Sequence, residues 1–229
     1  MKYPDILGYC GDVLFPSLVL GRVTDLIDSN LLFTADDAPN AKFEKISHVI
    51  KRSFIGYPQK SGILIPFKIV YCTRQNEGMS LSFHMSVLSW AVGNGWTSEQ
   101  LTIPAKSGIV FSSGSGKCYV EKWHERWEKT SQGGTSRAVF GAFCDSIHSD
   151  DDKFSGGAAQ LVGIYRKGIG EIIGIVKNNE CFVFGLPVPE CEELEAIEWR
   201  NNIFERCDWR TKERLPNAQP HLRPRGLGK

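Results

Sequence analysis

The spacing of apolar positions changes several times along this chain, and each change marks an element. "PDILGYCGDV" is a short apolar run ending in a Gly-Asp turn, which predicts a strand. In "FPSLVLGRVTDLIDSN" the residues Val19, Leu20, Val23, Leu26 and Ile27 recur at helical spacing, with Pro16 suited to the first helical position and Asn30 to a stop. A second helix is predicted from about Ala41 to Ile55, with Phe43, Ile46 and Ile50 inward. "SGILIPFKIVYCTR" and "MSLSFHMSVLSWAV" alternate like strands and are joined by the polar "QNEG", the pattern of a hairpin.

"SGIVFSSGSG" then reads as a strand ending in a small-residue turn. Beyond it, Tyr119, Val120, Trp123 and Trp127 form an apolar stripe on a helix whose other side is charged, a stripe best read as core. "SRAVFGAFCDSIHSD" predicts a further helix with Ala138, Val139, Ala142, Phe143, Ser146 and Ile147 on one face. Strand-like runs follow in "AAQLVGIYRKGIGEIIGIVKNNECFVFGLPV", broken by the turn signals "KGIG" and "KNNE". Residues 191–229 turn acidic, then basic and Pro-rich, and are expected to form a short helix and a poorly ordered tail, with Arg223 and Arg225 solvated. Strand, two helices, strands, two helices, strands: this order predicts one α+β domain over residues 1–190, with two antiparallel sheets between helical layers.

Composition narrows the function classes. With 229 residues, 41% of them hydrophobic and 23% charged, the chain can bury a sizeable core. Lys and Arg number 27 against 26 Asp and Glu, so the electrostatic footprint of a nucleic-acid binder is missing and no nucleic-acid partner is expected. Seven cysteines without a C-x-x-C pair suit reduced thiols in a cytoplasmic protein, and no apolar run is long enough to cross a bilayer, so no membrane partner is expected. The five histidines show neither H-E-x-x-H nor zinc spacing, so neither a metal nor a cofactor is expected.

Two small-residue turns carry candidate chemistry. "FSSGSGKC" imitates a phosphate-binding loop, but Phe111 stands where such a loop needs glycine and Cys118 where it needs the magnesium-binding hydroxyl. A tight turn before a helix remains, and close packing alone is reason enough for its small residues. "DDKFSGGAAQ" places Asp152 three residues before Ser155, so the carboxylate can accept the hydroxyl proton within a local turn. If both turns reach one end of the sandwich, Ser115, Asp152 and Ser155 meet there.

These stretches resemble the proteasome and HslV-type peptidases of the N-terminal nucleophile hydrolase superfamily. "ILGYCGDVLFPSLVLGRVTDLI" is similar to their strand, Gly-rich turn and first helix, "SGSGKCYV" to their G-S-G turn, and "DKFSGG" to their D-x-x-S-G-G signature. The resemblance spans roughly Tyr3 to Ile175. It implies an αββα sandwich in which Ser115, Asp152 and Ser155 surround the nucleophile, and in which the amide after Gly11, that of Asp12, faces the oxyanion. Asp12 replaces a residue that is usually glycine in the family, and its carboxylate opposes the charge an oxyanion hole stabilises.

In this family the nucleophile is the first residue of the mature chain, on a strand ahead of the region matching Tyr3. Neither that residue nor the family's accompanying Asp and Lys is found in this sequence, so the chain as written is expected to be truncated at its N-terminus and inactive. The resemblance therefore implies either a hydrolase acting on a peptide or amide, or a non-catalytic subunit of the same fold that binds partners. In both cases it implies self-association, as a homo-oligomer or ring.

Overall fold

The structure is a computed structural model describing residues 2–58, 65–149, 151–225 and 227. Its described residues form a mixed α/β arrangement with four α-helices and two sheets. Where one domain over 1–190 was expected, the chain divides into two compact units, Met1–Ile103 with Gly163–Glu171, and Pro104–Val162 with Ile172–Lys229.

The first unit begins with β1 (Asp5–Gly11), followed by α1 (Leu14–Asp28) and α2 (Pro39–Ile55). Then come β2 (Phe67–Gln75), β3 (Ser82–Ala91) and β4 (Gly95–Leu101), and the sheet is antiparallel in the order β1-β2-β3-β4. The predicted helical spacing holds: Val19, Leu20, Val23 and Ile27 of α1 and Ile46, Ile50 and Phe54 of α2 are buried in one cluster with Phe67, Ile69 and Tyr71 of β2. Pro16 lies at the third helical position instead of the first, still within the turn whose N–H groups lack partners. Asn30 adopts φ 57° just beyond α1, and the amide of Leu31 returns to Leu26 O, so the expected stop is a left-handed cap. The ring of Phe54 lies within 4.8–5.7 Å of Phe15, Phe67, Trp90 and Trp96, each such pair adding roughly 0.5–1.5 kcal/mol beyond its area. The strand predicted for "SGILIPFKIVYCTR" starts at Phe67, and its residues 61–64 lie outside the described residues.

The second unit holds α3 (Lys117–Glu128) and α4 (Ser136–His148). The second sheet contains β5 (Leu161–Ile164), β6 (Gly170–Lys177), β7 (Glu180–Val183), β8 (Leu186–Pro187), β9 (Glu198–Asn201) and β10 (Arg206–Cys207). Its order is β10-β9-β6-β7-β8, with β5 on β6; the turn between β5 and β6 belongs to the first unit. Thr135 caps α4 by accepting the Ala138 amide at 3.2 Å. This helix buries two faces. Ala138 and Ala142 meet Trp123 and Trp127 of α3, while Phe140 and Cys144 cluster with Ala159 and Ile175. Gly141 is required there, because a Cβ would stand 2.5 Å from the Trp127 ring.

Four further expectations are corrected. Residues 107–113 form no strand, since they join neither sheet of the described residues and so gain no ladder of backbone hydrogen bonds. On α4 Phe140 points inward and Phe143 is exposed, since the helix packs on two sides and its apolar arc is wider than one stripe. The second sheet is mixed instead of antiparallel, with β9 running parallel to β6. Lastly, the described residues of the segment 191–229 are not a loose tail. After the expected short helical turn, here 3₁₀ (Glu192–Ala196), they supply β9 and β10, and Trp199, Cys207 and Trp209 are buried with Val176 and Cys181. Trp199 lies over Gly174, where a Cβ would stand 2.4 Å from the ring. Glu205 ties the segment together by accepting from the Asn201 side chain and the His221 amide, both at 2.7 Å, and Arg223 pairs with buried Asp145 at 2.6 Å.

Candidate functional site

Ser115 belongs to the turn before α3, where Gly114 takes φ 97°, a conformation that favours glycine. Asp152 belongs to the segment after α4. Its Oδ1 accepts the Phe154 amide at 3.1 Å and its carbonyl accepts the Ser155 amide at 3.3 Å, so the D-x-x-S turn is folded by its own aspartate. The two turns meet. Ser115 Oγ donates to Asp152 Oδ2 at 2.7 Å, and Ser155 Oγ donates to the same oxygen at 2.6 Å. Gly116 lets them close, since a Cβ there would lie 3.2 Å from both Asp152 Oδ2 and Ser155 Oγ. The three residues named from sequence are therefore brought together, with Asp152 buried and both serines exposed.

The Ser155 hydroxyl, then that of Ser115, holds the Asp152 carboxyl below its ordinary value of 3.8; the Phe154 amide adds to this, against the cost of burial. An ionised carboxylate of low basicity does not strip a proton from serine at neutral pH. What it does is fix two hydroxyls whose free lone pairs can receive an N–H or an ammonium and pass a proton along. The cluster can position and relay; it does not by itself generate a nucleophile.

Gly11 and Asp12 belong to the first unit, the serine–aspartate cluster to the second. Gly11 has φ 95°, and a Cβ there would stand 2.2 Å from Pro66 O. The Asp12 amide donates to that same carbonyl at 3.2 Å, and Asp12 Oδ1 accepts the Leu14 amide at 3.2 Å. The expected oxyanion donor is thus committed to Pro66, because the bend needs that bond to close. The apparent phosphate loop also has another use for its residues: Ser112 donates to Glu121 at 2.6 Å and Lys117 lies 3.7 Å from the same carboxylate.

Sequence reading missed a second polar cluster, in the first unit. Asp5, Lys42, Tyr71 and Thr73 are all buried, and the Tyr71 hydroxyl donates to Asp5 Oδ1 at 2.8 Å. Lys42 Nζ lies 4.0 Å from Asp5 Oδ2 and over the rings of Tyr3 and Phe33, at 5.4 and 5.2 Å. Burial, then the Asp5 carboxylate, drives the Tyr71 phenol far above its ordinary range. A signal existed: Lys42 falls at helical spacing with Ile46 and Ile50, so it sits on the buried face of α2.

A cavity of about 230 Å³ in the second unit is lined by Trp199, Arg206, Trp209, Arg210 and neighbours, but by none of Ser115, Asp152 and Ser155. All seven cysteines are free thiols, Cys118 and Cys191 exposed. Among the described residues no helix is long and apolar enough to cross a membrane. Compared with family models and with curated proteins, the chain matches none.

Proposed function

We propose that this chain is a proteasome-like amide hydrolase of the N-terminal nucleophile type, with an αββα sandwich and a peptide or amide as substrate. The observation that carries the reading is the sharing of Asp152 Oδ2 by Ser115 and Ser155, in a space that Gly116 leaves free of side-chain atoms. Such a carboxylate can orient an α-amine through the two hydroxyls and relay its proton, the support that an attacking terminal residue requires. Ser115, Asp152 and Ser155 are support groups in this reading, and the attacking atom belongs to another residue. The test is hydrolysis of fluorogenic peptide amides by the protein isolated from its native source, compared with an Asp152→Asn variant. Turnover is expected in the wild type and a fall of about 10²-fold or more in a folded variant. Absence of turnover, or equal turnover in both, overturns the reading.

A second reading is a non-catalytic subunit that binds partners. It is favoured by the exposed apolar residues at the start of α1, where Val13, Leu14 and Leu18 are 59%, 66% and 58% accessible. It anticipates a homo-oligomer or ring whose mass by light scattering falls when Leu14 and Leu18 are replaced by lysine.

A further inference from the structure

We infer that the buried cluster of the first unit is a solvent site, in which one immobilised water joins Lys42 on α2 to Asp5 on β1 and Thr73 on β2. Asp5 and Thr73 are each only 1% accessible and are register partners across β1 and β2, so their side chains leave the same face of the sheet side by side. Asp5 Oδ1 is satisfied by Tyr71, but Asp5 Oδ2 and Thr73 Oγ1 have no hydrogen-bond partner among the described residues. Thr73 lies close enough to the Tyr71 phenol to favour its ionised form, yet without the geometry of a bond. Buried polar atoms are rarely left orphaned, and a bound water is the usual partner where protein groups do not reach.

Lys42 supplies the missing geometry. Its 4.0 Å separation from Asp5 Oδ2 is too long for a hydrogen bond. A water about 2.8 Å from each atom subtends roughly 90° between them, an angle a water can serve by accepting from the ammonium and donating to the carboxylate. Its second proton or second lone pair then meets the Thr73 hydroxyl. Direct pairing is held off because the ammonium rests over the rings of Tyr3 and Phe33, whose π faces attract it. Water is the ligand this site selects: the flanking charges are one of each sign, so a further ion of either sign is repelled by one of them.

Two measurements on the full chain decide the matter. A crystal structure fine enough to resolve ordered water is expected to show one density peak within hydrogen-bond distance of Lys42 Nζ, Asp5 Oδ2 and Thr73 Oγ1. A direct Lys42–Asp5 contact with no such peak overturns the inference. Replacing Thr73 by valine, which keeps the shape and removes the hydroxyl, is expected to lower the folded-to-unfolded ratio about ten-fold in denaturant titration. An unchanged or raised ratio means that the hydroxyl was an orphan and also overturns it.

Discussion

Two of the buried aspartates, Asp5 in the first unit and Asp152 in the second, set up an instructive contrast. Asp152 accepts three hydrogen bonds, two of them from exposed serines, and lies among turns. Asp5 accepts one, from the buried Tyr71, with the equally buried Lys42 4.0 Å away. Both are shielded from solvent, but of the two only Asp152 has hydrogen-bond partners that solvent can reach. A carboxylate becomes a candidate for function when its satisfied state leaves accessible groups poised; one whose partners are themselves sealed specifies the fold. Asp152 is the former and Asp5 the latter.

The sharpest way to break this contrast is to remove a partner of Asp5. Lys42→Met leaves a carboxylate buried among aromatic residues without its counter-charge, and is expected to destabilise the first unit by about 3–5 kcal/mol, read as a lowered denaturant midpoint. Combining it with Asp5→Asn removes the stranded charge, so the double variant is expected to recover most of the loss. If Lys42→Met alone costs less than about 1 kcal/mol, the pair does not specify the fold.

A smaller effect is expected at the open site. Gly116→Ala places a methyl 3.2 Å from Asp152 Oδ2 and Ser155 Oγ, a tight contact that the exposed Ser155 turn can relieve by a shift of tenths of an ångström. The expected cost is about 1 kcal/mol, with slower folding of the 152–157 turn not required. The informative readout is local: amide exchange at Ser155 should accelerate while the core of α3 stays protected. Acceleration throughout α3 would mean that the cluster holds the helix instead of merely resting at its start.

How much of this was legible beforehand follows the range of the forces involved. The helical stripes of α1 and α2, the cap at Asn30 and the hairpin turns were readable because local spacing and turn chemistry dictate them. The meeting of Ser115 with Ser155 was readable only as a condition on where the two turns lie, and the resemblance gave it weight, since 40 residues of chain separate the two serines. Other features depend on distant partners and were lost. "EWRNN" alternates as a strand does, yet it pairs in parallel with β6, and its charged outer residues, with Arg200 and Glu198 paired at 2.6 Å, made the segment look like a solvated tail. β4 has few buried residues, so "GWTSEQL" was not read as a strand; the glycines at 93 and 95, whose φ is positive in the structure, were the turn signal that could have found it. Lys42 was overlooked because charge argues for solvent, and only Asp5, 37 residues away, explains its burial.

The mildest prediction concerns protons alone. Because the Ser155 and Ser115 hydroxyls favour the charged carboxylate, Asp152 titrates below 3.8 in the folded chain, whereas its unfolded value stays near that figure. The unfolded state therefore takes up a proton first as pH falls. The contribution of Asp152 to stability is complete above about 3.8 and disappears as pH drops through the lower folded value, leaving stability between pH 5 and 8 untouched by this group. A carboxyl carbon NMR titration should place the Asp152 midpoint below the unperturbed value, and Ser155→Ala should raise it further than Ser115→Ala does, following the order in which the two hydroxyls depress it. A midpoint unmoved by either substitution would show that the hydroxyls face elsewhere in solution. Asp152 would then lack the exposed partners that distinguish it from Asp5, and the contrast between the two units would vanish.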